Sequence, residues 1–143
     1  HIVVNGLKDK RTTETIEASF LVSKALECKR ITIVEEISQK EIEVKVSDDY
    51  SLRKANINKE KLKRREDSRV NKILGNIRTD GISVKIQSIF GKRGYSIGHY
   101  AKVKRADLLV MNAPSKISIL DRIFPHDIEY ILTELPTDVL IVK

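Results

Sequence analysis

Short apolar runs alternate with amphipathic stretches along the whole chain. Residues 2–6 (IVVNG) form a compact apolar run closed by Asn-Gly, which reads as a buried strand followed by a turn. Over residues 12–28, Ile16, Ser19, Phe20 and Ser23 fall at the i, i+3, i+4, i+7 spacing of one helix face, and the two serines are small enough to let that helix approach a sheet closely. Residues 30–35 (RITIVE) are rich in β-branched side chains and predict a second strand. Ile42, Val44 and Val46 alternate with Glu41, Glu43 and Lys45, so residues 36–57 read as an exposed edge strand or an extended loop. A helix is expected over residues 58–78, with Val70, Ile73, Leu74 and Ile77 on its apolar face and Thr79-Asp80-Gly81 as its stop.

The same alternation continues to the end. Residues 82–89 (ISVKIQSI) predict a third strand, and a glycine turn at Gly91 and Gly94 leads into a helix over 95–104 that Gly98 weakens. Residues 107–111 (DLLVM) are continuously apolar, too short for a helix and suited to a central parallel strand. After an irregular stretch at 112–120, Pro125 fits the first position of a helix, and Asp127 and Glu129 suit the positive end of its dipole. Phe124, Ile128, Ile131 and Leu135 mark that helix's buried side, Pro136 ends it, and 138–142 (DVLIV) is the last strand. Strand–helix alternation of this kind predicts one α/β domain over 1–143: a doubly wound, five-stranded parallel sheet with helices on both faces.

Composition narrows the class. Of 143 residues, 41% are hydrophobic and 33% charged, which fits a globular domain on the charged side of average. No apolar run approaches the roughly 20 residues that a membrane helix needs, and the first residues lack a basic stretch followed by an apolar core, so neither a span nor a secretory signal is expected. Cys28 is the single cysteine, which excludes an intramolecular disulfide and a Cys-built zinc site and suits a cytoplasmic protein. Beginning at His1 rather than Met, the chain reads as an excised fragment or one carrying a tag remnant. The charge is lopsided. The chain holds 27 Lys/Arg and 20 Asp/Glu; residues 52–78 carry ten of the first and three of the second, leaving seventeen of each elsewhere. The whole basic excess, including Arg53, Lys54, Lys61, Lys63, Arg64, Arg65 and Arg69, therefore lies on one segment.

Two stretches resemble a known family. Residues 91–111 (GKRGYSIGHYAKVKRADLLVM) look like the glycine turn, helix and Ala-Asp-Leu-Ile-Val-Met strand of the universal stress proteins. Residues 111–142 resemble that family's signature loop, helix and last strand, with Glu129-Tyr130-Ile131-Leu132 against Glu-Tyr-Val-Leu and Pro136-Thr137-Asp138-Val139-Leu140-Ile141-Val142 against Pro-Cys-Pro-Val-Leu-Val-Val. The resemblance implies strand order 3-2-1-4-5, and homodimers formed through the last strand, here Val139, Leu140, Ile141 and Val142. It also implies a nucleotide loop of Gly, two residues, Gly, nine residues, Gly, then Ser or Thr. At that spacing this chain has Asn112, Ser115, Pro125 and His126, and the acidic residue that the family places after its first strand falls at Leu7.

Those replacements have physical consequences. A phosphate at a helix start is held by backbone N–H groups, and glycine lets the backbone approach without a Cβ in the way. Ser115 restores a Cβ, Pro125 removes a donor, His126 exchanges a hydroxyl for an imidazole, and Asp127 adds negative charge where a phosphate would lie. The expectation is a domain without the usual ATP cofactor. The loop keeps Ser115, Lys116, Ser118 and His126, so a remodelled ATP or AMP site, with Lys116 and Ser118 as anion contacts, stands as the alternative to solvated loop residues.

No catalytic or metal constellation emerges. His1, His99 and His126 show no ligand spacing with acids on a common face, Asp121 and Asp127 have nothing to orient them, and Cys28 beside Lys29 and Arg30 reads as a packed thiol. The expected function is a non-enzymatic regulatory or interaction module, dimeric and cytoplasmic, including as the cytosolic part of a membrane transporter. A nucleotide sensor is the second reading. Nucleic-acid binding through residues 53–78 is weaker, because no aromatic residue lies between Leu52 and Arg78. The basic segment also suits an anionic surface or simply a solvated helix face.

Overall fold

The computed structural model describes residues 1–42, 44–92, 94–113 and 127–143. Strand β1 (Ile2–Asn5) is followed by α1 (Thr12–Ala25), β2 (Arg30–Ser38) and a 3-10 turn at Gln39–Ile42; then come α2 (Asp49–Leu74), β3 (Ser83–Gly91), α3 (Tyr95–Val103), β4 (Leu108–Asn112), α4 (Asp127–Glu134) and β5 (Asp138–Val142). The five strands form one sheet of order β3-β2-β1-β4-β5, and every pairing is parallel. This is the doubly wound α/β architecture expected from the alternation of elements.

The two-residue period of a strand distributes the apolar side chains between two cores. Ile2 and Val4 of β1, with Ile31 and Ile33 of β2 and Val110 of β4, pack against Ile16 and Phe20 of α1 and Val70 of α2. Val3, Val34, Leu109 and Met111 face the other way, onto Ile97 and Ala101 of α3 and Ile131 of α4. Ile2, Val3 and Val4 are all fully buried, which is why β1 is apolar at each of these positions rather than at alternate ones.

Residues 36–57 depart from the expected edge strand or loop. Strand β2 runs on to Ser38, paired with β3 as far as Gly91, and the chain then turns through Gln39–Ile42. Helix α2 starts at Asp49, well ahead of residue 58. Its start is built locally: the Ser51 amide donates to Asp48 Oδ1 at 2.7 Å and Ser51 Oγ accepts from the Asp48 amide at 3.1 Å, a reciprocal cap that satisfies two otherwise orphaned donors. Ile42 is buried, as is Ala55 of the helix, and the Ile42 carbonyl accepts from Asn58 Nδ2 at 3.1 Å. The alternation at Ile42, Val44 and Val46 therefore reflects one anchor residue, Ile42, while Val46 is exposed. At its other end α2 stops at Leu74, sooner than residue 78, and the turn into β3 is made by Asp80 and Gly81, both at positive φ.

Candidate functional site

In an open parallel sheet a ligand crevice opens at the carboxyl ends of the strands where strand order reverses, here between β1 and β4. The structure puts both described sequence candidates at that end: Asn112 is the last residue of β4 and Leu7 follows β1 by two residues. Ser115, Lys116, Ser118, Pro125 and His126 lie outside the described residues.

The described wall of the crevice is hydrogen-bonded to itself. Asn5, nearly fully buried, accepts the Leu7 amide on its side-chain Oδ1 at 3.0 Å and so folds the chain back at the strand end. Thr12 Oγ1 donates to the Leu7 carbonyl and accepts from the Asp9 amide at 3.1 Å, tying the loop to the first turn of α1. Thr15 Oγ1 lies within reach of the Arg11 carbonyl at 3.0 Å and of Asn112 Oδ1, which links α1 to β4 across the mouth. Leu7 thus contributes its backbone, and Asn112 its amide, to bracing.

On the other side of β1 sits a more polar cleft of about 310 Å³, lined among others by Leu7, Lys8, Glu35, Glu36, Arg65 and Arg69. Its origin is the pair of acids at the end of β2. Strand geometry sends consecutive residues to opposite faces. Glu36 turns to the α3 side, where its carboxylate accepts the Gly94 amide at 2.8 Å and the Ile97 amide at 2.6 Å, a cap supplied from a strand to the start of α3. Glu35 turns to the α2 side and pairs with Arg69 at 2.7 Å. Arg69 also donates to the Gly6 carbonyl and bonds Glu66 at 2.9 Å, and Glu66 pairs with Arg65 at 2.7 Å. Gly6 is required here: a Cβ would lie 2.8 Å from Ile33 Cγ2 and 3.1 Å from Glu35 Cγ.

The network sets the proton affinities. The Glu35 carboxyl is pushed up to about 7, chiefly by burial, with Arg69 opposing the rise and Glu66 and Asp67 adding to it. Its Oε2 is buried with no hydrogen-bond partner among the described residues. Burial also opposes ionisation of Glu66, but hydrogen bonds from Arg69 and Arg65 outweigh it and hold that carboxyl below its usual range. Sequence reasoning placed Arg69 on a basic surface; the structure turns it inward, half-buried, with its charge neutralised by Glu35 and Glu66. It also missed Asn5, Thr12, Thr15, Glu35 and Glu36. The adjacent acids at the end of an otherwise apolar strand were the available signal for the last two. Val139, Leu140, Ile141 and Val142 form the β5 edge, paired on one side with β4 and with Ile141 exposed.

A parallel five-stranded sheet with this order, helices on both faces and a crevice between β1 and β4 defines a doubly wound α/β architecture. No family model matches the sequence, and no curated protein matches it. Solved structures do. The chain is similar to the universal stress protein UspA from Lactobacillus plantarum, at 12% identity and a TM-score of 0.64, over 99% of this chain and 97% of that one. It is similar to a universal stress protein in complex with cAMP, at 17% identity and a TM-score of 0.65, over 100% and 97%. It is similar to hypothetical protein MJ0577, at 19% identity and a TM-score of 0.64, over 99% and 94%. The chain has the universal stress protein fold.

Proposed function

We propose that this domain is a non-catalytic regulatory or interaction module that does not hold ATP in the manner of a glycine-rich loop. The reading rests on the described wall of the crevice, where Asn5, Thr12, Thr15 and Asn112 direct their polar atoms at one another and at the backbone rather than into the opening. A ligand would have to break those bonds to use the same groups, and each broken buried bond costs on the order of 1 kcal/mol. The replacements at Ser115, Pro125 and His126 point the same way.

The second reading is a sensor that takes a nucleotide through a remodelled loop. It is favoured by one observation: a structure matching this chain from end to end was solved with cAMP bound. Titration calorimetry and thermal shift with ATP, AMP and cAMP separate the two. The module reading expects no heat and no shift at millimolar nucleotide; saturable binding of any of the three would replace it with the sensor.

The module is proposed to act as a homodimer through β5, an apolar, β-branched edge whose unpaired backbone groups a second copy would cover. Sedimentation velocity at micromolar concentration should show the dimer, and a monomer alone would remove it. A cytoplasmic setting, free or as the cytosolic part of a transporter, belongs to the same proposal. Among the described residues no helix is long and apolar enough to cross a membrane. Hydrophobic spans encoded before His1 or after Lys143 would support the transporter form, and a full-length gene product without them on either side would exclude it.

A further inference from the structure

The basic segment is two surfaces. In the second half of α2, Arg65 and Arg69 are paired with Glu41, Glu66 and Glu35. In the first half, Arg53, Lys54, Lys61, Lys63 and Arg64 are exposed and make no ion pair or hydrogen bond with any described residue. Because α2 begins at Asp49, Tyr50 belongs to the same helix. Tyr50, Ile57 and Arg64 recur every seven residues and so lie on one line, opposite the inward-facing Ala55, Glu66 and Val70. Tyr50 is 76% exposed and Ile57 56%. Arg53, Lys54 and Lys61 flank that line. Glu60 sits at its margin, and Asp48 and Asp49 are confined to the helix start. The flank is thus a cationic stripe about 21 Å long with two large apolar side chains along its centre.

We infer that this flank, from Tyr50 to Arg64, docks on an anionic phospholipid surface. The four cations Arg53, Lys54, Lys61 and Arg64 meet lipid phosphates, and Tyr50 and Ile57 enter the headgroup layer. Charge complementarity alone would equally suit a nucleic acid. The apolar residues decide the matter: an exposed isoleucine between cations gains nothing from a phosphate backbone, whereas a bilayer interface takes up both aliphatic and tyrosine side chains. The acids at Asp48 and Asp49 make the contact lengthwise, because an end-on approach would present them to the lipid. Docking of this kind is independent of whether the crevice takes a nucleotide.

The test is co-sedimentation with vesicles of phosphatidylcholine, alone or with about one-third phosphatidylglycerol, across a salt series. The chain should sediment with the anionic vesicles, remain in solution with the neutral ones, and be released as salt rises. Reversing two charges, Lys61→Glu with Arg64→Glu, should weaken binding at least about 25-fold, taking about fivefold per charge. Tyr50→Ser with Ile57→Ser keeps the charge and should weaken it about fivefold or more. All four side chains are exposed, so unchanged thermal melts will show that the variants fold. No sedimentation with anionic vesicles overturns the inference. So does vesicle binding that Tyr50→Ser and Ile57→Ser leave intact while a single-stranded RNA homopolymer binds equally well, since the flank would then be a general polyanion site.

Discussion

Both parts of α2 are rich in Lys and Arg, yet their physical roles are opposite. From Asp49 to Arg64 the helix buries Ala55 and leaves most of its cations in water; from Arg65 to Leu74 it buries Glu66 and Val70 and turns two arginines to carboxylates. A charge count merges them into a single basic segment. What separates them is what lies beneath. The second half crosses the strand ends where Glu35 and the Gly6 carbonyl need a donor, while the first half touches the turn at Ile42 and the end of β3, where Lys59 lies 5.9 Å from the centre of the Phe90 ring. An arginine's contribution to this fold is therefore fixed by what faces it.

That contrast can be broken most forcefully at Arg69. Replacing it by Met removes the partner of a carboxylate that is 2% exposed and the donor to Gly6, and should cost about 3–4 kcal/mol in urea unfolding at pH 8. The cost should shrink at pH 5, where Glu35 is protonated and Glu66 keeps Arg65 as its partner.

An effect of intermediate size comes from Glu35 itself. Its carboxyl is raised in the folded state to about 7 from an ordinary value of 4.5, so the folded protein holds a proton that the unfolded chain releases. The associated stability is fully present below about pH 4.5 and is lost as pH rises through about 7. Glu66 shifts the opposite way, so its contribution is retained across this window and lost only at lower pH. Urea midpoints should therefore fall from pH 5 to pH 8 by the equivalent of about 2 kcal/mol, and Glu35→Gln should flatten that slope. A wild-type midpoint that is constant or rises over this range would count against a proton on Glu35.

The smallest effect is expected in the first half of the helix. Arg64→Met should change stability by no more than about 0.5 kcal/mol, because the side chain has no internal partner among the described residues. A cost as large as that of Arg69→Met would show that the two halves are not distinct after all.

Much of the architecture was legible because central strands carry a strong apolar mark: residues 2–5 and 107–111 are apolar at nearly every position and largely buried, and 138–142, equally apolar, could be recognised as a strand although it lies at the edge. Residues 36–57 were not legible for a related reason. Two adjacent glutamates look like the end of a strand, and only their partners, Arg69 from one face and the Gly94 and Ile97 amides from the other, reveal that the strand continues. Alternation after Ile42 then imitated another strand, although a local cap at Asp48 and Ser51 had already committed the chain to a helix. The candidate site divided similarly. Leu7 and Asn112 were placed at the strand ends by the resemblance to the family's loop, but the threonines that tie them down lie on α1: Thr12 is five residues from Leu7 in a separate element, and Thr15 is 97 residues from Asn112.

The cap that Glu36 provides to α3 carries a consequence for how this rim can change. Two helices on opposite faces of the sheet are moored to covalently adjacent residues, one to each. Inserting or deleting a single residue upstream in β2 would point both acids the wrong way, unmooring the two helices in one step. A substitution at the rim loosens one contact; a change in the length of this strand loosens both moorings together.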